Sequence, residues 1–214
     1  MNNSQQGFTF VEIAVVLLIL GILVTGVSKG YELIVQARIK SVANDITGII
    51  TAVHGYRDRY RAIPGDDTSG ARWSGSVPGN GNGIVNGLYN AVASPVPISS
   101  EETNLFWWHL RQSGFLAGAI DAQEGPRQPM NAAGGRFGVQ EANGALGLNG
   151  LIICTSVSDK VAIGTDNLLD DGNPATGFVR AMVGTFDTPL GATPVPNYVQ
   201  NDDSYVLCIS TQWR

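Results

Sequence analysis

The chain begins with two hydrophobic patterns placed end to end. Residues 8–27 are apolar almost without interruption, and Glu12 is the only charged side chain among those 20 positions. A helix of about twenty residues spans roughly 30 Å, the thickness of a bilayer's hydrocarbon core. From Tyr31 to Tyr60 the pattern changes to a stripe. Ile39, Val42, Ile46, Ile49, Val53, Tyr56 and Tyr60 recur at spacings of three and four, while Arg38, Lys40, Asn44, Asp45, Arg57, Asp58 and Arg59 fall largely off it. That is one face of an α-helix. No proline interrupts residues 8–63, and Pro64-Gly65 ends the pattern. One continuous helix over residues 8–62 is predicted. Gly26 and Gly30 are the places where it could bend, and a separate anchor followed by a separate globular helix is the other arrangement. A stripe on half a helix requires a domain to cover it.

The remainder is punctuated differently. Residues 64–98 are rich in Gly, Pro and Asn and read as a long surface loop. Ser99-Ser100-Glu101-Glu102 has the form of a capping box, predicting a helix from about Ser100 to Ser113 with Gly114 as its stop. This helix carries Leu105, Phe106, Trp108 and Leu110 for packing, and Trp107 is a candidate for a contact with a neighbouring subunit. Residues 151–157 read as a buried strand, and Ser158 is placed to cap a helix over roughly 159–169. Residues 178–183 and 205–210 read as further strands. A small antiparallel sheet against one face of the long helix follows, an α+β fold.

Composition narrows the chemistry. Hydrophobic residues are 43% and charged residues 14% of 214, a balance that supports a packed core. The net charge of −5 argues against nucleic acid as a partner. Gly79-Asn80-Gly81-Asn82-Gly83 lacks the Lys-Ser/Thr ending of a phosphate loop, and neither a serine-nucleophile elbow nor a zinc-binding His-Glu-x-x-His is present. His54 and His109 are read as structural. The protein is read as no enzyme, with no cofactor required. Asp166, Asp170 and Asp171 form an acidic cluster whose oxygens suit a hard cation such as calcium, although the spacing is not that of an EF-hand. Turn residues are the competing reading. Cys154 and Cys208 are either two buried thiols or, if the C-terminal part lies outside the cytoplasm, a disulfide.

Glu12 is the anomaly of the first segment, because an ionisable group within a membrane span is costly unless paired. Gly7-Phe8-Thr9-Phe10-Val11-Glu12 and the run through Leu23 resemble the processing site and helix of type IV prepilins and type II secretion pseudopilins. The resemblance implies that a membrane peptidase cuts after Gly7, that Phe8 becomes the methylated N-terminus, and that Glu12 serves subunit registration. Gly21 also falls where many members carry glycine. The leader MNNSQQG departs from the family in having no Lys or Arg, and Lys29 stands where many members have a helix-bending proline. Lys29, Arg38 and Lys40 follow the span, so the positive-inside rule read alone would leave the C-terminus in the cytoplasm. The cleavage motif is taken as the stronger signal. The Ile63-Pro64-Gly65-Asp66 turn, Phe106-Trp107-Trp108-His109-Leu110 and Leu169-Asp170-Asp171-Gly172 also look like a subset of bacterial prepilin-type proteins.

The expected layout is therefore a leader (1–7), a transmembrane or filament-core half-helix (8–28), an amphipathic half (29–63) and a loop-rich head (64–214). The expected fold is type IV pilin-like. The expected function is a major or minor subunit of a type IV pilus-like filament. Its partners would be a prepilin peptidase, other pilin subunits, inner-membrane assembly machinery and membrane lipid. The precursor would sit in the bacterial inner membrane, and the product in a periplasmic or extracellular filament. A type II secretion pseudopilin, a calcium- or ligand-binding tip subunit and an uncleaved anchored protein are the alternatives.

Overall fold

The structure, a computed structural model, describes residues 7, 9–91 and 101–212. The chain forms two compact units, residues 1–37 and 38–214. Helix α1 (Phe10–Tyr60) begins in the first and runs unbroken through Gly26 and Gly30. In the first unit Phe10, Leu17, Leu18, Ile22, Leu23, Val24 and Val27 are each more than half exposed. The hydroxyls in this stretch turn back onto the helix. Thr25 donates to the Gly21 carbonyl at 2.9 Å and Ser28 to that of Val24 at 3.1 Å. Such back-bonding lets a hydroxyl sit in an apolar setting without an outside partner.

In the second unit the stripe on α1 is buried. Ile39, Val42, Ala43, Ile46, Ile49, Ile50, Ala52, Val53 and Tyr56 all lie inside. Helices α2 (Glu102–Gln112) and α3 (Asp159–Leu169) accompany strands β1 (Phe137–Glu141), β2 (Leu151–Ser158), β3 (Val179–Val183) and β4 (Ser204–Ser210). The strands form one antiparallel sheet in the order β1-β2-β4-β3. Alternation divides its sides. Ile152, Cys154, Val206 and Cys208 pack with Tyr89, Ala142, Leu146, Leu148 and Phe186 in one cluster. Ile153, Thr155, Val157, Tyr205, Leu207 and Ile209 occupy the other side and are also buried. Both sides of the sheet are therefore covered, which explains why β2 and β4 read as nearly continuous apolar runs. Gly164 on α3 lies so close to Ile39 of α1 that a Cβ there would run into the Ile39 side chain.

Several expectations change. Strand β1 is absent from the sequence-based reading. It is short, lies after a Gly-rich turn, and owes its extended form to pairing with β2. Gly138 within it passes beneath the Tyr89 carbonyl, where a Cβ would collide. Helix α2 takes Glu101 as its N-cap, without a side-chain capping bond, and Ser99-Ser100 lie outside the described residues. Ser158 occupies the N-cap of α3 but its side chain makes no capping bond; Asp159 Oδ1 accepts from the Lys160 N–H instead. Trp107 is fully buried, so it is not a surface contact for a neighbour. Every position from Glu102 to Arg111 is buried, because α2 packs against β1 and is wrapped by the adjoining loops.

The loop over residues 64–91 is ordered by buried acids. Asp67 accepts from the Tyr56 hydroxyl at 2.6 Å, from the Ser69 N–H at 2.8 Å, and pairs with Arg72 at 3.0 Å. Asp66 accepts from the N–H groups of Asn82 and Gly83, and Glu102 from those of Asn80 and Asn86. The segment 79–83 is thus an anion nest whose anions are the protein's own carboxylates. His109, buried in α2, accepts the Gly65 N–H at Nδ1 and so carries its proton on Nε2, facing the Val77 carbonyl at 3.0 Å.

Burial holds His109 below its ordinary pKa of 6.5, against the opposing pull of Asp67 and Glu102. The unfolded chain therefore binds this proton more readily, and the contribution of His109 to stability is lost as pH falls below about 6.5. Thermal melts should show stability falling on acidification through that window, with the slope reduced in His109→Gln. Asp67→Ala strands a buried hydroxyl and a half-buried guanidinium and is expected to cost about 2–4 kcal/mol by chemical denaturation.

Candidate functional site

The start of α1 combines an acid with its own cap. Thr9 precedes the first helical residue, and Glu12 lies three positions on. The Glu12 carboxylate accepts from the Thr9 backbone N–H and from the Thr9 hydroxyl, both at 2.8 Å, while the Glu12 N–H points back to the hydroxyl oxygen at 3.3 Å. This is a reciprocal capping box. It also sets a negative group at the positive end of the helix macrodipole. The Thr-x-x-Glu pattern was present in the sequence, so Thr9 is a residue that sequence reasoning could have found and did not. Gly7 is exposed immediately upstream, and Phe8 lies outside the described residues.

Beyond Glu12, α1 is long and apolar enough to cross a membrane by length and composition. The structure keeps Glu12 near the helix start, with both oxygen-directed bonds coming from Thr9. The carboxylate is thereby partly satisfied within one subunit, and its negative charge is left without a cation from the same turn.

Two sites sit far along the sequence in the second unit. Cys154 and Cys208 are directly opposed on β2 and β4 and form a disulfide, with Cα atoms 4.1 Å apart. It closes a loop of 54 residues and joins the last strand to the sheet from inside the core cluster. The acidic residues Asp166, Asp170 and Asp171 also converge, with oxygens within 4.8 Å of one another. Each is engaged. Asp166 accepts from the Tyr198 hydroxyl at 2.7 Å and the Gly172 N–H at 3.2 Å. Asp170 accepts from the N–H groups of Phe178 and Val179. Asp171 accepts from the Asn173 N–H and the Thr176 hydroxyl. These bonds hold the turn between α3 and β3, and the converging carboxylate oxygens are of the kind a hard cation takes.

Residues 2–28 match the family model described as the prokaryotic N-terminal methylation motif. The match contains Gly7, Phe8, Thr9 and Glu12 and the first part of α1. No curated protein matches the chain. Among solved structures, the major type IV pilin PilA1 from Clostridium difficile aligns over 82% of this chain and 96% of that one, at 11% identity and a TM-score of 0.40. At that score the likeness decides neither fold nor role. The chain is thus a protein with a prepilin-type methylation motif on a membrane-length helix, followed by a disulfide-bonded α+β unit.

Burial and the nearby Asp170 and Asp171 charges push the Asp166 carboxyl up from 3.8 to about 6. A raised carboxyl stabilises the fold fully below its unfolded value, and that contribution is lost as pH rises from about 4 through 6. Asp166→Asn, neutral throughout, should therefore gain stability relative to wild type on going from acid to neutral pH, measured as paired melts. Reduction of the disulfide, or Cys208→Ser, should lower unfolding stability by about 2–5 kcal/mol.

Proposed function

We propose that this protein is a subunit of a type IV pilus-like filament, made as a membrane-anchored precursor. Cleavage falls between Gly7 and Phe8, Phe8 is methylated at its new amino group, and α1 carries the subunit from lipid into a bundle of like helices. The observation that supports this reading above others is the placement of Glu12 inside a methylation motif at the head of an otherwise uncharged apolar run.

Lipid tails and neighbouring helices are equally apolar, so hydrophobicity gives little reason to leave the membrane. Packing and polar pairing must supply the specificity. In the lone subunit Glu12 has hydrogen bonds from Thr9. What those bonds lack is a positive charge, and a freed amino terminus on an adjacent subunit provides one. In a low-dielectric surround such a pair is worth far more than in water. The same physics serves an abundant subunit, a rare one, or a short secretion pseudopilin filament. The disulfide supports an oxidising destination for the second unit, since such bonds persist outside the cytoplasm.

In Glu12→Ala, membrane insertion should be unchanged while incorporation into sheared filaments drops steeply, read by immunoblot of membrane and sheared fractions. Equal recovery of mutant and wild type in filaments would refute the pairing. Intact-mass analysis of filament subunits should give a chain beginning at methylated Phe8; a chain retaining residues 1–7 would remove the proposal.

A further inference from the structure

Arg111 is a buried cation on which Glu124, itself paired with Arg127, exerts a favourable charge. It is 9% exposed, and among the described residues it forms no ion pair. Its Nη1 donates to the carbonyls of Glu124, Gly125 and Arg127, which ties down the loop after α2. Its Nε is buried without a hydrogen-bond partner among the described residues. Carbonyl dipoles solvate a guanidinium but do not neutralise it, Glu124 offsets the burial only in part, and an under-compensated buried charge is costly.

Arg111 lines an open cavity of about 520 Å³ together with Arg127, Arg136, Gln128, Met130 and Glu124. Arg127 and Arg136 are exposed. Glu124 is the only acid among these residues and is paired with Arg127 at 3.2 Å. The cavity therefore carries an excess of positive charge in a chain whose net charge is −5. Concentrated positive charge in a concave, partly desolvated site is what binds oxyanions, and guanidinium forks match their geometry. The volume exceeds that of a lone tetrahedral ion, and Gln128 and Met130 offer an amide and an apolar wall for the remainder of a small molecule.

We propose that this cavity binds the oxyanion of a small acid, with Arg111, Arg127 and Arg136 as the cationic ligands. The oxyanion is either a phosphate or the carboxylate of an acidic sugar. All of its residues lie in the second unit, away in sequence from Gly7, Phe8 and Glu12.

The test is calorimetric titration of the full chain, in uncharged detergent, with inorganic phosphate, with glucuronate and with glucose. Saturable binding of at least one anion is expected, weakening with added salt, with no binding of glucose. Phosphate alone would identify the phosphate source, and glucuronate alone the sugar carboxylate. Arg136→Gln and Arg127→Gln should each weaken the anion about tenfold or more, while Lys40→Gln leaves it unchanged. Both arginines are exposed, so these variants keep the fold, as circular dichroism will verify, even if Arg111→Gln does not. No binding of either anion at millimolar concentration overturns the proposal. So does binding that survives both exposed substitutions, or equal binding of glucose.

Discussion

Helix α1 must suit two surroundings with one backbone. Its first half is apolar around the whole circumference, so no face is distinguished and none is buried among the described residues. Its second half is apolar along a stripe, and that stripe is buried by the rest of the second unit. A helix can do this because its backbone hydrogen bonds are internal and indifferent to the medium. Only the polar exceptions need special treatment. Thr25 and Ser28 bond to their own preceding turns, and Glu12 is capped by Thr9. The remaining architecture follows from the need to cover the stripe: His109 of α2 and Phe115 just beyond it pack on Tyr56, and the Gly164–Ile39 approach brings α3 onto the helix.

Buried charge organises what hydrophobic burial leaves loose. The loop over 64–91 has almost no regular structure, yet its N–H groups converge on Asp66, Asp67 and Glu102. Arg111 performs the mirror task for the loop after α2, gathering carbonyls instead of N–H groups. Asp166 and Asp170 do the same between α3 and β3. Loops pinned in this way exchange backbone solvation by water for solvation by a fixed ion. Asp66 and Glu102 are within reach of their loop's donors, which leaves those donors nothing to offer an external phosphate. At Arg111 the balance is incomplete, because carbonyls carry no net charge.

Much was readable without coordinates because it depends on neighbours in the chain. The continuity of α1, its apolar and striped halves, its stop before Pro64-Gly65 and the strands around Cys154 and Cys208 are local periodicity and local composition. Glu12 stood out because one acid in an apolar run is a local anomaly, and the Thr9 cap was equally local although it was not read. What tertiary structure alone decided was pairing between distant residues. Strand β1 exists through β2, the cysteines are joined because β2 and β4 place Cys154 opposite Cys208, and Trp107 is interior because loops close over α2. The roles of Asp66, Glu102 and Arg111 were equally hidden. A charged side chain in sequence looks like surface, and only the folded chain shows which donors or acceptors surround it. Helical and strand preferences act over a few residues, whereas the partners of a buried ion are chosen by the whole fold.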